Sequence, residues 1–188
     1  MDEIKARQTI NRGFIRRGAL IMSLFGLIWA SAGASGIPGD AAGLGVQVVA
    51  LAITAGIIAL AWQGASARVG RPRHLPDDWM RRFNLVGITQ GIAIGLAVLA
   101  LSPTGNAGLL PGAVCLIVGL AFLLLAGVFD QPEYIWAGAA LCAVAALGTG
   151  ALLFGDDETS RAVVGLWAGL ALWAISVYML RATASRTI

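Results

Sequence analysis

Six long uncharged runs of residues constrain this chain more than any other feature of its sequence. Each run has 17 to 22 residues and contains no Asp, Glu, Lys, Arg or His. A helix needs about 20 apolar residues to cross a hydrocarbon core of about 30 Å, so each run is long enough to form one membrane span. The predicted spans are residues 18–34, 41–62, 83–102, 108–129, 134–154 and 162–180.

The composition excludes a water-soluble enzyme. Charged residues make up 12% of the 188 residues and the mean hydropathy is +0.81, whereas a soluble domain has about 25% charged residues. The sequence therefore predicts an all-α membrane bundle of six helices within residues 18–182. A basic segment precedes it at 1–17, a basic loop interrupts it at 63–82, and a tail follows at 183–188.

The positive charges predict the orientation of the bundle. Of the 13 Lys and Arg residues, 12 fall in the N-terminal segment, the 63–82 loop and the C-terminal end, and only Arg161 falls on the opposite set of loops. Positive residues are retained on the cytoplasmic side of a membrane. We therefore expect a multi-pass protein with both termini in the cytoplasm.

Several catalytic chemistries lack their side chains in this sequence. Ionisable residues inside spans mark proton relays and ion pathways, and the predicted spans contain none. The single histidine, His74, lies in a loop, and neither a nucleophile elbow nor a phosphate-binding loop occurs. We therefore expect no enzymatic activity, no cofactor and no metal site.

Neutral polar residues inside the spans suggest either a solute path or helix pairing. Gln47 and Gln90 lie within predicted spans, and Asn84 lies near one end of the third span. A buried amide in hydrocarbon needs a hydrogen-bonding partner, so these residues could join helices. Alternatively, they could line a narrow path for a small uncharged solute.

Two stripes of small residues suggest close helix packing. Gly87 and Gly91 share a face of the third span with Asn84 and Gly95, and Gly165 and Gly169 share a face of the sixth. Such stripes let helix backbones approach closely, either within one bundle or between proteins.

The glycines of the third and sixth spans also belong to a similar sequence pattern, which indicates an internal repeat. Val86-Gly87-x-x-x-Gly91-x-Ala93 in the third span resembles Val164-Gly165-x-x-x-Gly169-x-Ala171 in the sixth. This agreement is compatible with an inverted repeat of three plus three spans.

The basic loop suggests contact with lipid headgroups. Juxtamembrane arginines anchor the topology of a bundle and attract anionic lipids by about 1 kcal/mol per charge. The candidate headgroup-binding residues are Arg71, Arg73, Arg81 and Arg82.

Residues 81–154 resemble a group of short bacterial six-span membrane proteins. The residues that carry the resemblance are Phe83-Asn84, Gln90, Pro111, Leu116-Ile117-Val118-Gly119-Leu120, Phe122, Leu125-Ala126, Phe129, Pro132 and Tyr134. In that group a His often follows the Val-Gly-Leu run, where this chain has Ala121. The resemblance implies a bacterial inner (plasma) membrane and says nothing about a substrate.

Two functions therefore remain open. The first is a permeation or transport component for a small uncharged solute, with Gln47, Asn84 and Gln90 lining its path. The second is a structural or assembly subunit that contacts another copy or another membrane protein through the glycine stripes. We expect the lipid bilayer and anionic headgroups as partners, and no nucleic acid.

Overall fold

The described part of the chain folds into six α-helices with no strand. The computed structural model describes residues 2–63 and 77–182, and side chains at 16–63 and 77–181. The helices are α1 (Asp2–Ala34), α2 (Asp40–Gln63), α3 (Trp79–Leu101), α4 (Leu110–Phe129), α5 (Pro132–Phe154) and α6 (Asp157–Ala182). A short 3-10 helix at Ala107–Leu109 leads into α4.

All six helices contain a stretch long and apolar enough to cross a membrane. The stretches are Arg16–Ala34, Asp40–Gln63, Trp79–Leu101, Ala107–Phe129, Pro132–Phe154 and Asp157–Arg181. The prediction of an all-α bundle with six spanning helices is confirmed, and the chain has the architecture of a multi-pass membrane protein. Large apolar side chains such as Leu99 and Leu153 point outward, as expected where the surrounding solvent is lipid rather than water.

Two helices extend beyond the predicted spans into segments predicted to be separate. The predicted segment 1–17 and the predicted span 18–34 belong to one helix, because α1 continues without a break from Asp2 to Ala34. No proline occurs before Pro38 to interrupt its backbone hydrogen bonds. Helix α3 begins at Trp79, inside the predicted loop 63–82.

Local sequence signals set several helix ends. Pro111 and Pro132 lie in the first turns of α4 and α5, where the missing N–H of proline costs nothing. Asp130 ends α4 in the left-handed conformation, with φ of 49°, and a two-residue turn leads into α5. At the start of α6, the Oδ1 atom of Asp156 accepts a hydrogen bond of 2.7 Å from the Thr159 backbone N–H. This is the geometry of an N-terminal helix cap.

Each helix packs mainly on its neighbours in the order α2, α1, α6, α5, α4, α3, which we call the helix order. The α1–α6 and α4–α5 pairs have the most extensive contacts, and α6 also packs on α5. The largest buried cluster lies between α4, α5 and α6, and consists of Cys115, Val118, Leu141, Val144, Ala145, Val164, Ala168 and Leu172. The two end helices of the order, α2 and α3, are the least buried of the six.

The contact pattern supports the proposed three-plus-three repeat only in part. Under that division α1 corresponds to α4, α2 to α5 and α3 to α6. The α1–α2 contact then matches α4–α5, and α1–α6 matches α4–α3. However, α6 packs on α5, and the described α2 and α3 make no comparable contact. Helix α3 therefore has a free side where α6 has a neighbour.

Candidate functional site

The glycine stripe of α6 packs directly against the backbone of α1. A Cβ atom built on Gly165 would overlap the backbone N and Cα atoms of Gly33, and one on Gly169 would lie 2.9 Å from the carbonyl oxygen of Gly26. Two helix backbones can approach this closely only where side chains are absent. Gly165 and Gly169 therefore lie at a helix interface inside the bundle.

A buried tryptophan stabilises the same α1–α6 interface with a hydrogen bond. The indole Nε1 of Trp173 on α6 donates a hydrogen bond of 3.1 Å to the backbone carbonyl of Ser23 on α1. The indole fits because Gly26 has no side chain: a Cβ there would lie 2.6 Å from the Nε1 atom. The sequence analysis did not identify Gly26 and Gly33. Their seven-residue separation, with Ala30 between, was the available signal.

Glycines also allow close packing of α4 on α5. A Cβ atom on Gly119 would lie 2.9 Å from the Sγ atom of Cys142, and one on Gly138 would lie 2.7 Å from the carbonyl oxygen of Gly119. The thiol of Cys115 donates to the carbonyl oxygen of Leu141 at 3.3 Å. Both cysteines are free and serve as packing residues at this interface.

Helix α3 contacts the bundle through one narrow line of side chains. None of its residues is buried. Its half-buried residues share one face of the helix and are Trp79, Val86, Gln90, Ala93, Ile94, Ala97 and Leu101. The rings of Trp79 and Phe83 lie 6.1 and 5.7 Å from the ring of Phe129 on α4. An aromatic contact at one end and a single apolar seam thus hold α3 on α4.

The small-residue stripe of α3 lies outside that seam. We call Asn84, Gly87, Gly91 and Gly95 the α3 stripe. A Cβ atom built on any of the three glycines would meet no atom of another residue within 4 Å, and Asn84 is exposed. Gly87 and Gly91 therefore take no part in packing between the described helices of this chain, unlike Gly165 and Gly169.

The three candidate polar residues do not come together. Gln47 is exposed on α2, whereas Asn84 and Gln90 lie on α3 at the other end of the helix order. Gln90 is the central residue of α3, about 16 Å from either end at 1.5 Å per residue. A path lined by all three residues would thus need a surface from a second chain.

The basic residues at the start of α3 are exposed, and one is paired. The Nε atom of Arg82 donates to the carboxylate of Asp78 at 2.9 Å. The hydrogen bond from Arg82 lowers the pKa of Asp78 below its usual value, with the nearby charges of Arg82 and Arg81 acting in the same direction. Arg81 is exposed, and Arg71 and Arg73 lie outside the described residues.

Two clefts open on the sides of the bundle, and both have mainly apolar linings. One, of about 390 Å³, lies between α1, α2 and α6 and reaches Trp173. The other, of about 330 Å³, lies between α3, α4 and α5, and its polar lining groups are Cys142 and Thr149. The Thr149 hydroxyl already donates to the backbone carbonyl of Ala145. Within the residues described, no three His, Cys, Asp or Glu side chains gather as a metal site would require.

Comparisons with protein-family models, with curated proteins and with solved structures find no significant match to this chain.

Proposed function

We propose that this protein is a non-catalytic subunit of a membrane assembly, and that the α3 stripe is its contact surface for another transmembrane helix. The open glycines of α3 carry this proposal. The same Val-Gly-x-x-x-Gly-x-Ala pattern is present in α3 and α6, and in α6 it packs backbone to backbone against α1. The matching glycines of α3 have no neighbour among the described helices.

The chemistry of a membrane interior supports the same proposal. In lipid, helix association gains little from hydrophobicity and depends on close backbone contact and on polar side chains that find partners. The α3 stripe supplies three glycines for close contact and one exposed amide, Asn84, that can hydrogen-bond to a partner helix.

The setting that fits the sequence is a bacterial inner membrane. The distribution of positive charge favours cytoplasmic N- and C-termini, and the resemblance of residues 81–154 favours a bacterial source. We include both in the proposal, together with binding of anionic headgroups by the 63–82 loop.

Association through α3 is tested by replacing one glycine of the stripe with a large residue. Affinity-tagged protein is crosslinked in intact membranes and purified, and any captured chain is identified by mass spectrometry. We expect Gly91→Leu to abolish a crosslinked species that the parent protein forms, because the leucine would hold a partner helix away. A captured copy of this chain would indicate a homo-oligomer, and a different chain would identify the assembly.

Gly127→Leu on α4 provides a matched control. Gly127 is also exposed, and a Cβ atom there would also meet no atom of another residue within 4 Å. We expect this variant to retain the crosslinked species. The proposal is wrong if both variants retain it, if both lose it, or if the parent protein forms no crosslinked species.

Transport of a small uncharged solute is the second proposal. The central position of Gln90 supports it, since an amide at mid-bilayer is costly unless it meets a partner or water. Because Gln47 and Gln90 lie on opposite end helices, the path would have to form between chains. Protein in liposomes should then pass small neutral solutes, and Gln90→Leu should slow their flux. An unchanged flux, or none across a broad panel of solutes, would exclude this role.

A further inference from the structure

A second basic and aromatic cluster lies at the opposite end of the helix order from α3. The guanidinium carbon of Arg16 on α1 lies 3.8 Å from the ring centroid of Trp62 on α2. This distance is well inside the range of a cation–π interaction. It fixes the guanidinium at the end of the first span, where the chain enters the membrane.

The contact with the Trp62 ring itself engages none of the hydrogen-bond donors of Arg16. A guanidinium carries five N–H donors, and the aromatic face engages its charge without supplying an oxygen acceptor. In the part of the chain that the structure describes, neither Arg16 nor Arg17 has an acidic or hydrogen-bonding partner. Arg82, by contrast, is occupied by Asp78.

An apolar ridge runs along α1 from Arg17 toward the middle of the membrane. Ile21, Leu24 and Ile28 follow Arg17 at intervals of four, three and four residues, which places them on one face of the helix. They are 53%, 48% and 62% exposed. This face of α1 thus combines positively charged hydrogen-bond donors at headgroup depth with the apolar ridge at acyl-chain depth.

We propose that Arg16, Arg17 and Trp62 bind the phosphate of an anionic glycerophospholipid, and that its acyl chain lies along Ile21, Leu24 and Ile28. Arginine N–H groups form strong, paired hydrogen bonds to phosphate oxygens. Trp62 positions Arg16 for this contact, and its exposed ring lies at interfacial depth, where tryptophan is favoured. The site does not depend on the proposed role of α3.

Native mass spectrometry of the purified full chain tests the site. The protein is titrated with phosphatidylglycerol and, separately, with phosphatidylcholine of the same acyl chains. We expect tighter binding of phosphatidylglycerol, and we expect Arg16→Gln with Arg17→Gln to weaken it by about 25-fold, at roughly fivefold for each charge. Trp62→Leu should weaken it by several-fold, because Arg16 loses its support.

The control variant removes an exposed positive charge from the opposite set of loops, as Arg161→Gln. We expect this variant to change phosphatidylglycerol binding less than twofold. Equal weakening for each charge removed, in the Arg16/Arg17 variant and in Arg161→Gln, would show general attraction to positive charge and would overturn the site, as would no preference for phosphatidylglycerol.

Inorganic phosphate separates the two sources of the anion. We expect millimolar phosphate to leave lipid binding unchanged, because it lacks the acyl chain that the α1 ridge contacts. Competition by inorganic phosphate at the lipid's own concentration would overturn the assignment to a lipid.

Discussion

Adding one methyl group to equivalent glycines of α6 and α3 should lower the free energy of unfolding only in α6. Gly165 and Gly87 occupy the same position of the shared pattern. In Gly165→Ala the new Cβ would overlap the Gly33 backbone and lie 2.5 Å from the carbonyl oxygen of Trp29. Ordinary contacts begin at 3.4 Å, so α1 must move away by at least about 0.9 Å.

The energetic cost follows from that displacement. A gap of 0.5–1 Å removes about a quarter to a half of the dispersion energy of each affected contact, and overpacking of this kind costs about 1–3 kcal/mol. We expect Gly165→Ala to lower the free energy of unfolding by about that amount. Gly87→Ala meets only open space and improves helix propensity, so it should leave stability unchanged or raise it by up to about 1 kcal/mol.

Unfolding of the monomeric protein by SDS in mixed micelles, followed by tryptophan fluorescence, measures both values. Trp29 and Trp173 lie at the α1–α6 interface and report its separation. Gly169→Ala and Gly91→Ala form a second pair with the same expectation. If the two variants of each pair lose the same free energy of unfolding, the α3 stripe does not lie outside the close-packed interfaces. If Gly165→Ala loses no free energy of unfolding, the close α1–α6 contact is refuted.

Three further outcomes follow from individual contacts. Trp173→Phe should lower the free energy of unfolding by about 1 kcal/mol beyond its packing loss, because the hydrogen bond to the Ser23 carbonyl disappears; equal stability of the two proteins in thermal unfolding would contradict this. The hydrogen bond from the Thr159 backbone N–H lowers the folded-state pKa of Asp156. The cap therefore stabilises the protein at pH values above the usual aspartate pKa, and this stabilisation is lost as the pH falls through the folded-state pKa. The difference in melting temperature between parent and Asp156→Ala should therefore shrink below about pH 4, and a constant difference would exclude a contribution of the Asp156 charge to the cap. Cys115 is fully buried and should resist maleimide until SDS unfolds the bundle; labelling in the native protein would show that its surroundings open.

The sequence by itself determined that this chain has six helices long and apolar enough to cross a membrane, because insertion depends on the apolar length of each segment taken alone. It also located the glycine stripes, since their spacing is local. Tertiary structure decided which stripe is buried. Gly165 and Gly87 occupy the same position of the shared Val-Gly-x-x-x-Gly-x-Ala pattern, yet one faces Gly33 and the other faces open space. The pairing of helices depends on contacts between distant segments, which no local pattern encodes.

The same reason explains why two polar residues that were predicted to act together lie apart, and why one contact between helices was not predicted. Gln47 and Gln90 were grouped by polarity, but α2 and α3 lie at opposite ends of the helix order. Arg16 and Trp62 are 46 positions apart and meet only because α1 packs on α2. Hydropathy fixes how deep a residue lies in the membrane, and helix packing alone fixes what stands beside it.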